Sequence, residues 1–323
     1  MADITVEAVH LTKKYRERTA IEDVSFAARS NDVVGLLGPN GAGKTTTIRI
    51  LTTVITPTSG DFRIAGRSPK EPGEIRRRVG VLPESSGYPG FETGREYLSY
   101  HARLYGLSSS SARDLADSLL TDVGLADRAR SRISGYSRGM RQRLGIARAL
   151  VNDPAVVFLD EPNLGLDPAG QSQILKIVRQ VAQERGATVI LSTHALSEVE
   201  EVCSQVLILN QGRLVASGSI GDVMRTAVVE RSAQLRVPSH LIERARLSIE
   251  KLPELTIEAT DGRPDLLKIG LRTASGTSSD ESAQRLNAAV IAVAAANVPV
   301  LSYEMEGARL SDAFLQMTKK EVP

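Results

Sequence analysis

The stretch GPNGAGKTT (Gly38–Thr46) constrains this chain more than any other. It follows DVVGLLG (Asp32–Gly38), a β-branched and apolar run that reads as a buried strand entering a turn. It leads into KTTTIRILTTV, which reads as a helix. A strand, a glycine-rich turn and a helix start, in that order, let successive backbone N–H groups turn inward around phosphate oxygens. The positive end of the helix dipole stands behind them. Gly38, Pro39, Asn40, Gly41, Ala42 and Gly43 form the turn and Thr46 completes the stretch. Lys44 is placed to reach β- and γ-phosphates, and Thr45 to ligate Mg²⁺.

Further strands recur between helical segments. VGVLP (Val79–Pro83), AVVFLD (Ala155–Asp160) and ATVILSTH (Ala187–His194) read as buried strands. A helix is expected from about Ala195 to Val202, and VLILNQGRLVASG (Val206–Gly218) reads as a hairpin turning at Asn210–Gly212. ITVEAVHLTKKY opens with the alternation of a half-exposed strand. This order predicts an α/β fold with a parallel-sheet core and an antiparallel part. A helical subdomain, about residues 92–150, is inserted between core strands; its segments stop near Gly106 and Gly124.

After about Thr226 the pattern changes to β-α-β-β-α-β, the ferredoxin-like split unit. SHLIERARLSIEKL places Leu241, Ile242, Ala245, Ile249 and Leu252 on one helical face. The turn DGRPD and the polar loop TASGTSSD separate later elements, and RLSDAFLQMTKK closes the chain as a helix. Two domains are therefore expected, 1–226 and 227–323.

The acid pair Asp160–Glu161 ends the strand of VVFLDEP, and ligands of open α/β sheets gather at strand C-termini. Asp160 suits holding Mg²⁺, directly or at one remove, and Glu161 suits polarising an attacking water. By itself such a pair can equally be a solvated acidic turn; the phosphate loop in the same sheet favours the functional reading. His194 ends another core strand, where an imidazole could face a γ-phosphate and the attacking water.

The 40 basic and 38 acidic residues leave a net charge of +2, which gives no reason to expect broad nucleic-acid binding. Cys203 is the single cysteine, so neither an internal disulfide nor a cysteine metal cluster can form, and a buried inert thiol is expected. The longest uninterrupted apolar run, Ala288 to Ala296, is well short of the roughly 20 residues of a membrane-spanning helix. The N-terminus lacks the order of a signal peptide, and a cytoplasmic protein is expected.

With the phosphate loop, VGVLPE, YSRGM, VVFLDEP, NLGLD and STH present in order, the chain from about Ile4 to Val223 resembles the ATP-binding subunit of an ATP-binding cassette (ABC) transporter. The resemblance implies ATP and Mg²⁺ as cofactors, ATP hydrolysis and a head-to-tail homodimer of cassettes. In such a dimer the signature covers ATP held by the other copy. It assigns Ser137 and Gly139 to the partner's γ-phosphate, Asp167 to the dimer seam, Tyr15 to stacking on adenine and His194 to the γ-phosphate and water. Read alone, YSRGM could be an ordinary capped helix start, and Tyr15 a surface tyrosine. Three departures stand out. Tyr136, Arg138 and Met140 replace the usual residues of L-S-G-G-Q. Glu84 replaces a glutamine; it could accept from water, hold Mg²⁺ or contact a membrane partner. Asn163 stands where Thr or Ser is frequent.

FETGREYLSYHARLYGL and RLSDAFLQMT resemble the branch of separate ATPase subunits that power export of drugs, antibiotics, lipids or sodium. That implies a separately encoded membrane permease and a place on the inner face of the cell membrane. The C-terminal unit then reads as an accessory or dimerisation module. A nutrient-importer ATPase is the near alternative. A cassette ATPase acting on ribosomes or nucleic acid is the remote one. Translation-type members carry two cassettes, and repair-type members a long coiled coil, where this chain has one phosphate loop and only Thr47–Gly135 before the signature.

Overall fold

The computed structural model describes residues 3–84, 87–226, 232–258, 263–271, 279–306 and 310–319. The chain divides into two compact units, Met1–Ile220 and Gly221–Pro323.

The first unit opens with two long antiparallel strands, β1 (Ile4–Tyr15) and β2 (Arg18–Arg29), joined by β3 (Val33–Leu37) to the phosphate loop and α1 (Lys44–Leu51). The strand β4 (Ser59–Ile64) pairs with β1, giving a three-stranded sheet in the order β2-β1-β4. Irregular pairing keeps β1 amphipathic. Val6 and Ala8 face the core, the register shifts around His10 (φ 52°), and Leu11 therefore faces the core as well. The same happens on β2, where Asp23 (φ 54°) separates buried Ile21 from buried Val24.

The short helix α2 (Pro72–Arg76) leads to β5 (Val79–Leu82). The inserted helices are α3 (Gly94–Leu104), α4 (Ser109–Asp122) and α5 (Arg138–Ala149). Each begins at a side-chain cap: Thr93 in a capping box with Glu96, Ser108, and Ser137. Then come β6 (Val156–Asp160), α6 (Pro168–Arg185), β7 (Thr188–Thr193), α7 (Leu196–Val202), β8 (Gln205–Asn210) and β9 (Arg213–Ser219). The six-stranded sheet runs β5-β6-β7-β3-β8-β9, parallel except for the β8–β9 hairpin. Gln211 (φ 48°) and Gly212 (φ 83°) make that hairpin's turn.

Every residue of β3 and β6 is buried, as in a sheet covered on both faces. Along β6, Val157 and Leu159 join a cluster with Leu98, Leu120 and Leu144 of the inserted helices and Ile174 and Val178 of α6. Val156 and Phe158 face the other cluster, with Ile48 of α1 and Phe62 of β4. The sheet is thus pinned from both sides, which fixes the strand ends that carry the site. Cys203 packs beside Val199, and burial pushes its thiol pKa up to about 12, so it is inert.

The helix α8 (Ile220–Thr226) spans the boundary in sequence, and the second unit then holds β10 (Ser232–Arg236), α9 (Ile242–Ile249), β11 (Leu255–Glu258), β12 (Leu266–Leu271), α10 (Ser279–Ala295), β13 (Ser302–Glu306) and α11 (Leu310–Lys319). Its sheet order is β11-β12-β10-β13, antiparallel throughout, which is the ferredoxin-like arrangement. Ala245 and Ile249 are fully buried, with Leu241, Ile242 and Leu252 packed at the margin of the same core. The helix is shorter than its sequence pattern because Ser239–Leu241 form a 3-10 turn. The start of the DGRPD turn and most of the polar loop after Leu271 lie outside the described residues.

Candidate functional site

A cleft of about 630 Å³ opens at the C-terminal ends of β3, β6 and β7. Gly43 explains the turn that forms its floor. Its φ of 107° suits glycine, and a Cβ there would stand 2.5 Å from Ile21 Cγ2. No side chain caps α1, and its first turn holds no acid, so the N–H groups at this helix start remain available to an anion.

Lys44 is 7% exposed. Its Nζ donates to the carbonyl of Gly38 at 2.7 Å and lies 3.8 Å from Glu161 Oε1. Thr45 Oγ1 donates to Asp160 Oδ2 at 3.1 Å, and Ser192 Oγ donates to Asp160 Oδ1. Glu161, just past β6, has φ 51°, and its amide donates to the carbonyl of Ser192 at 3.0 Å. Its Oε2 lies 2.9 Å from Nδ1 of His194, which follows β7. Burial raises the pKa of Glu161 above the ordinary carboxylate value; His194 and Lys44 oppose that rise. A carboxylate so desolvated, yet steered by an imidazole, is suited to accept a proton from water.

Tyr15, residues 39–46, Glu84, Asp160, Glu161 and His194 line this one cleft. Gly38 reaches it through its carbonyl on Lys44. Thr45 and Asp160 present hard oxygens side by side, a fit to Mg²⁺, which takes one or two protein ligands and completes its shell with phosphate and water. Among the described residues no three His, Cys, Asp or Glu side chains form a ready-made metal cage. The cleft's wall of N–H donors and buried lysine fits a nucleotide triphosphate.

Sequence reasoning missed Arg18 and Leu164, which also line the cleft, and Ser192, which is fully buried behind Asp160. Arg18 follows Tyr15 across the β1–β2 turn, and Ser192 stands two residues before His194; those proximities were the available signals.

Ser137, Gly139 and Asp167 do not line this cleft. Ser137 caps α5 by accepting from the Met140 amide at 3.2 Å, and Asp167 caps α6 by accepting from Gly170 at 3.1 Å. Tyr136, just before Ser137, has a structural role: it is 3% exposed and donates its hydroxyl to the Arg128 carbonyl at 2.7 Å. That burial raises its pKa.

Residues 21–163 match the ABC transporter family. An ABC transporter ATP-binding protein of Bacillus subtilis, YxlF, is 37% identical over 74% of this chain and 80% of its own length. The chain belongs to the ABC transporter ATP-binding subunits. The bacitracin transport ATP-binding protein BcrA of Bacillus licheniformis is 39% identical over 65% of this ABC ATPase and 68% of itself. A dimeric ATP-binding cassette, solved in a post-hydrolysis state with ADP and Pi, superposes with a TM-score of 0.61. It covers 66% of this chain and 98% of that one at 24% identity, a likeness of fold. The subunit is an ATPase that uses ATP and Mg²⁺.

Proposed function

We propose that this ATPase powers export of a small compound, of the drug, antibiotic or lipid kind, through a separately encoded membrane permease. The observation that carries the reading is the convergence of Lys44, Asp160, Glu161 and His194 on one cleft that Ser137, Gly139 and Asp167 do not line. A cleft built this way is half a site. On this reading two copies pair head to tail, and the signature of each closes over the nucleotide of the other. The helix start at Ser137 offers the anion-attracting donors for that cover. The dimeric cassette of like fold supports the pairing, and the bacitracin transport relative supports transport of an antibiotic-like compound.

Within each site, Lys44 holds the β- and γ-phosphates, Thr45 and Asp160 hold Mg²⁺, and Glu161 takes the proton of the attacking water. His194 orients Glu161 and faces the γ-phosphate. Tyr15, 44% exposed at the cleft's edge, stacks on adenine. Glu84 lies on the same wall, placed to accept from water or the metal's shell. Bound Mg²⁺ supplies charge neutralisation on the phosphate oxygens.

Among the described residues no helix is long and apolar enough to cross a membrane. On this reading the transport path belongs to another chain, with this subunit held peripherally at the cytoplasmic face. The C-terminal unit serves as an accessory module for pairing. Two experiments test the reading. Tagged protein recovered from gently solubilised membranes of the source cell should bring down a polytopic chain without its own cassette; recovery of ribosomes or DNA instead would refute it. Size-exclusion chromatography of Glu161→Gln with ATP should show a dimer, and a persistent monomer would count against the paired site.

A further inference from the structure

Arg138 stands between the two signature residues Ser137 and Gly139, and its side chain turns toward a different loop. A Cβ added to Gly165 would lie 2.5 Å from Nη1, 2.6 Å from Cζ and 2.9 Å from Nη2 of Arg138. The guanidinium therefore lies across the face of Gly165 that a side chain would fill. Gly165 has φ 70°, so this residue both makes the left-handed turn and leaves room for the guanidinium.

Electrostatics does not account for the placement. Arg138 is the first residue of α5, where the helix dipole disfavours a cation, and the first turn of α5 has no acid. Among the described residues no carboxylate pairs with Arg138.

The loop that it crosses, NLGLD (Asn163–Asp167), joins Glu161 to α6. That loop holds a buried polar side chain without a partner. Asn163 is 4% exposed, and neither heteroatom of its amide has a hydrogen-bond partner. Glu161, at the loop's root, is in the left-handed region. The loop's bonds are Leu164 N to the Glu161 carbonyl at 3.2 Å, Leu166 N to the Asn163 carbonyl at 3.1 Å, the Gln171 side-chain amide to the Leu166 carbonyl at 3.2 Å and the Asp167 cap on α6, and none of these reaches Gly165. An unpaired buried amide makes this loop costly to hold, and the Arg138 guanidinium over Gly165 is a contact on it from another element.

We infer that Arg138 is a positioning residue: by lying over Gly165 it holds the Asn163–Asp167 loop against the start of α5, and through that loop fixes Glu161 toward Lys44 and His194. The inference rests on the reading of Glu161 as the group that acts on water. It concerns contacts within one chain and does not depend on which copy Ser137 serves.

The test compares Arg138→Ala, Arg138→Lys, Gly165→Ala, the Arg138→Ala/Gly165→Ala pair and Glu161→Gln, with kcat, KM for ATP and affinity for a fluorescent ATP analogue. Arg138→Ala should lower kcat about tenfold or more through a displaced catalytic group. KM and analogue affinity should stay within about twofold, since the phosphate loop is intact. Arg138→Lys keeps the charge and loses the plane, so it should restore little. A Cβ at Gly165 expels the guanidinium, so the double variant should be no worse than the poorer single one. A loop reporter keeps the test independent of turnover. The chain has no tryptophan, so Leu164→Trp places a sole tryptophan in the loop, which selective excitation separates from the seven tyrosines. Arg138→Ala should raise its quenching by acrylamide in the nucleotide-free protein. Unchanged kcat and quenching in folded Arg138→Ala, full rescue by Lys, or additive losses in the double variant would each overturn the inference. Full turnover in Glu161→Gln would instead sink the reading on which it rests.

Discussion

Lys44 Nζ and Glu161 Oε1 face each other across 3.8 Å, with side chains 8% and 13% exposed. The pair binds the phosphate loop to the end of β6 before any nucleotide arrives. Lys44 balances part of the charge on a desolvated carboxylate, and its ammonium is the cation nearest the phosphate cradle. Lys44→Ala should therefore lower ATP hydrolysis by about 10² or more, the scale for loss of one preorganised charge donor. Phosphate release by the purified protein measures it, and ordinary turnover in the variant would reject the assignment of the site.

Glu161→Gln should separate stability from activity. The carboxyl's folded pKa is raised above its ordinary 4.5, chiefly by burial. Such a group contributes stability that is complete below the ordinary value and is lost as pH rises through the raised one. As pH rises through the raised value the native protein gains a desolvated charge that the amide variant never carries. The variant's melting temperature should therefore rise relative to the native protein as pH rises, and the gap should narrow as pH falls toward the ordinary value. Turnover should fall by about 10² to 10⁴, because an amide accepts no proton. A difference in melting temperature that does not move with pH would contradict the electrostatic account.

Thr45→Ala removes the hydroxyl that donates to Asp160. Half-maximal activity should then require about tenfold or more Mg²⁺, the scale for losing one member of such a shell. Titration of ATPase activity with Mg²⁺ at saturating ATP measures it. An unchanged midpoint would remove Thr45 from the metal's surroundings.

Much of this arrangement was legible before the fold. The runs DVVGLL and AVVFLD are short, rich in valine and apolar on both faces, which reads as central parallel strands and brings the phosphate loop and Asp160–Glu161 together at their ends. The strands β2 and β4 were not legible. Asp23 breaks the alternation of β2, and β4 buries only Phe62 and Ile64, too short a pattern to read. Arg18 and Ser192 escaped because their roles arise from tertiary approach across the sheet. Tyr136 looked like a departure at the signature. Its reason is a hydrogen bond to Arg128, eight residues back, which no local periodicity reveals. Tyr136→Phe should cost about 1 kcal/mol, the net worth of one hydrogen bond, because the Arg128 carbonyl keeps the Ser131 amide at 2.9 Å, with nucleotide affinity unchanged. Thermal unfolding and analogue titration check both halves.

If Ser137 serves the opposite copy, Lys44→Ala and Ser137→Arg should complement each other. Ser137 caps α5 outside the cleft that holds Lys44, so neither residue substitutes for the other within one chain. Each variant alone forms dimers with two defective sites. In a mixed dimer one site joins a bad loop to a bad cover, and the other joins a good loop to a good cover. Random two-fold pairing makes about half the dimers mixed. Co-folding should therefore return part of the ATPase activity lost by both parents. Where both sites must close together, a single intact site turns over slowly, so photolabelling of trapped nucleotide is measured beside phosphate release. Verified mixed dimers with neither trapping nor turnover above the parents would leave Ser137 as a helix cap and nothing more, because a cap acts only within its own chain.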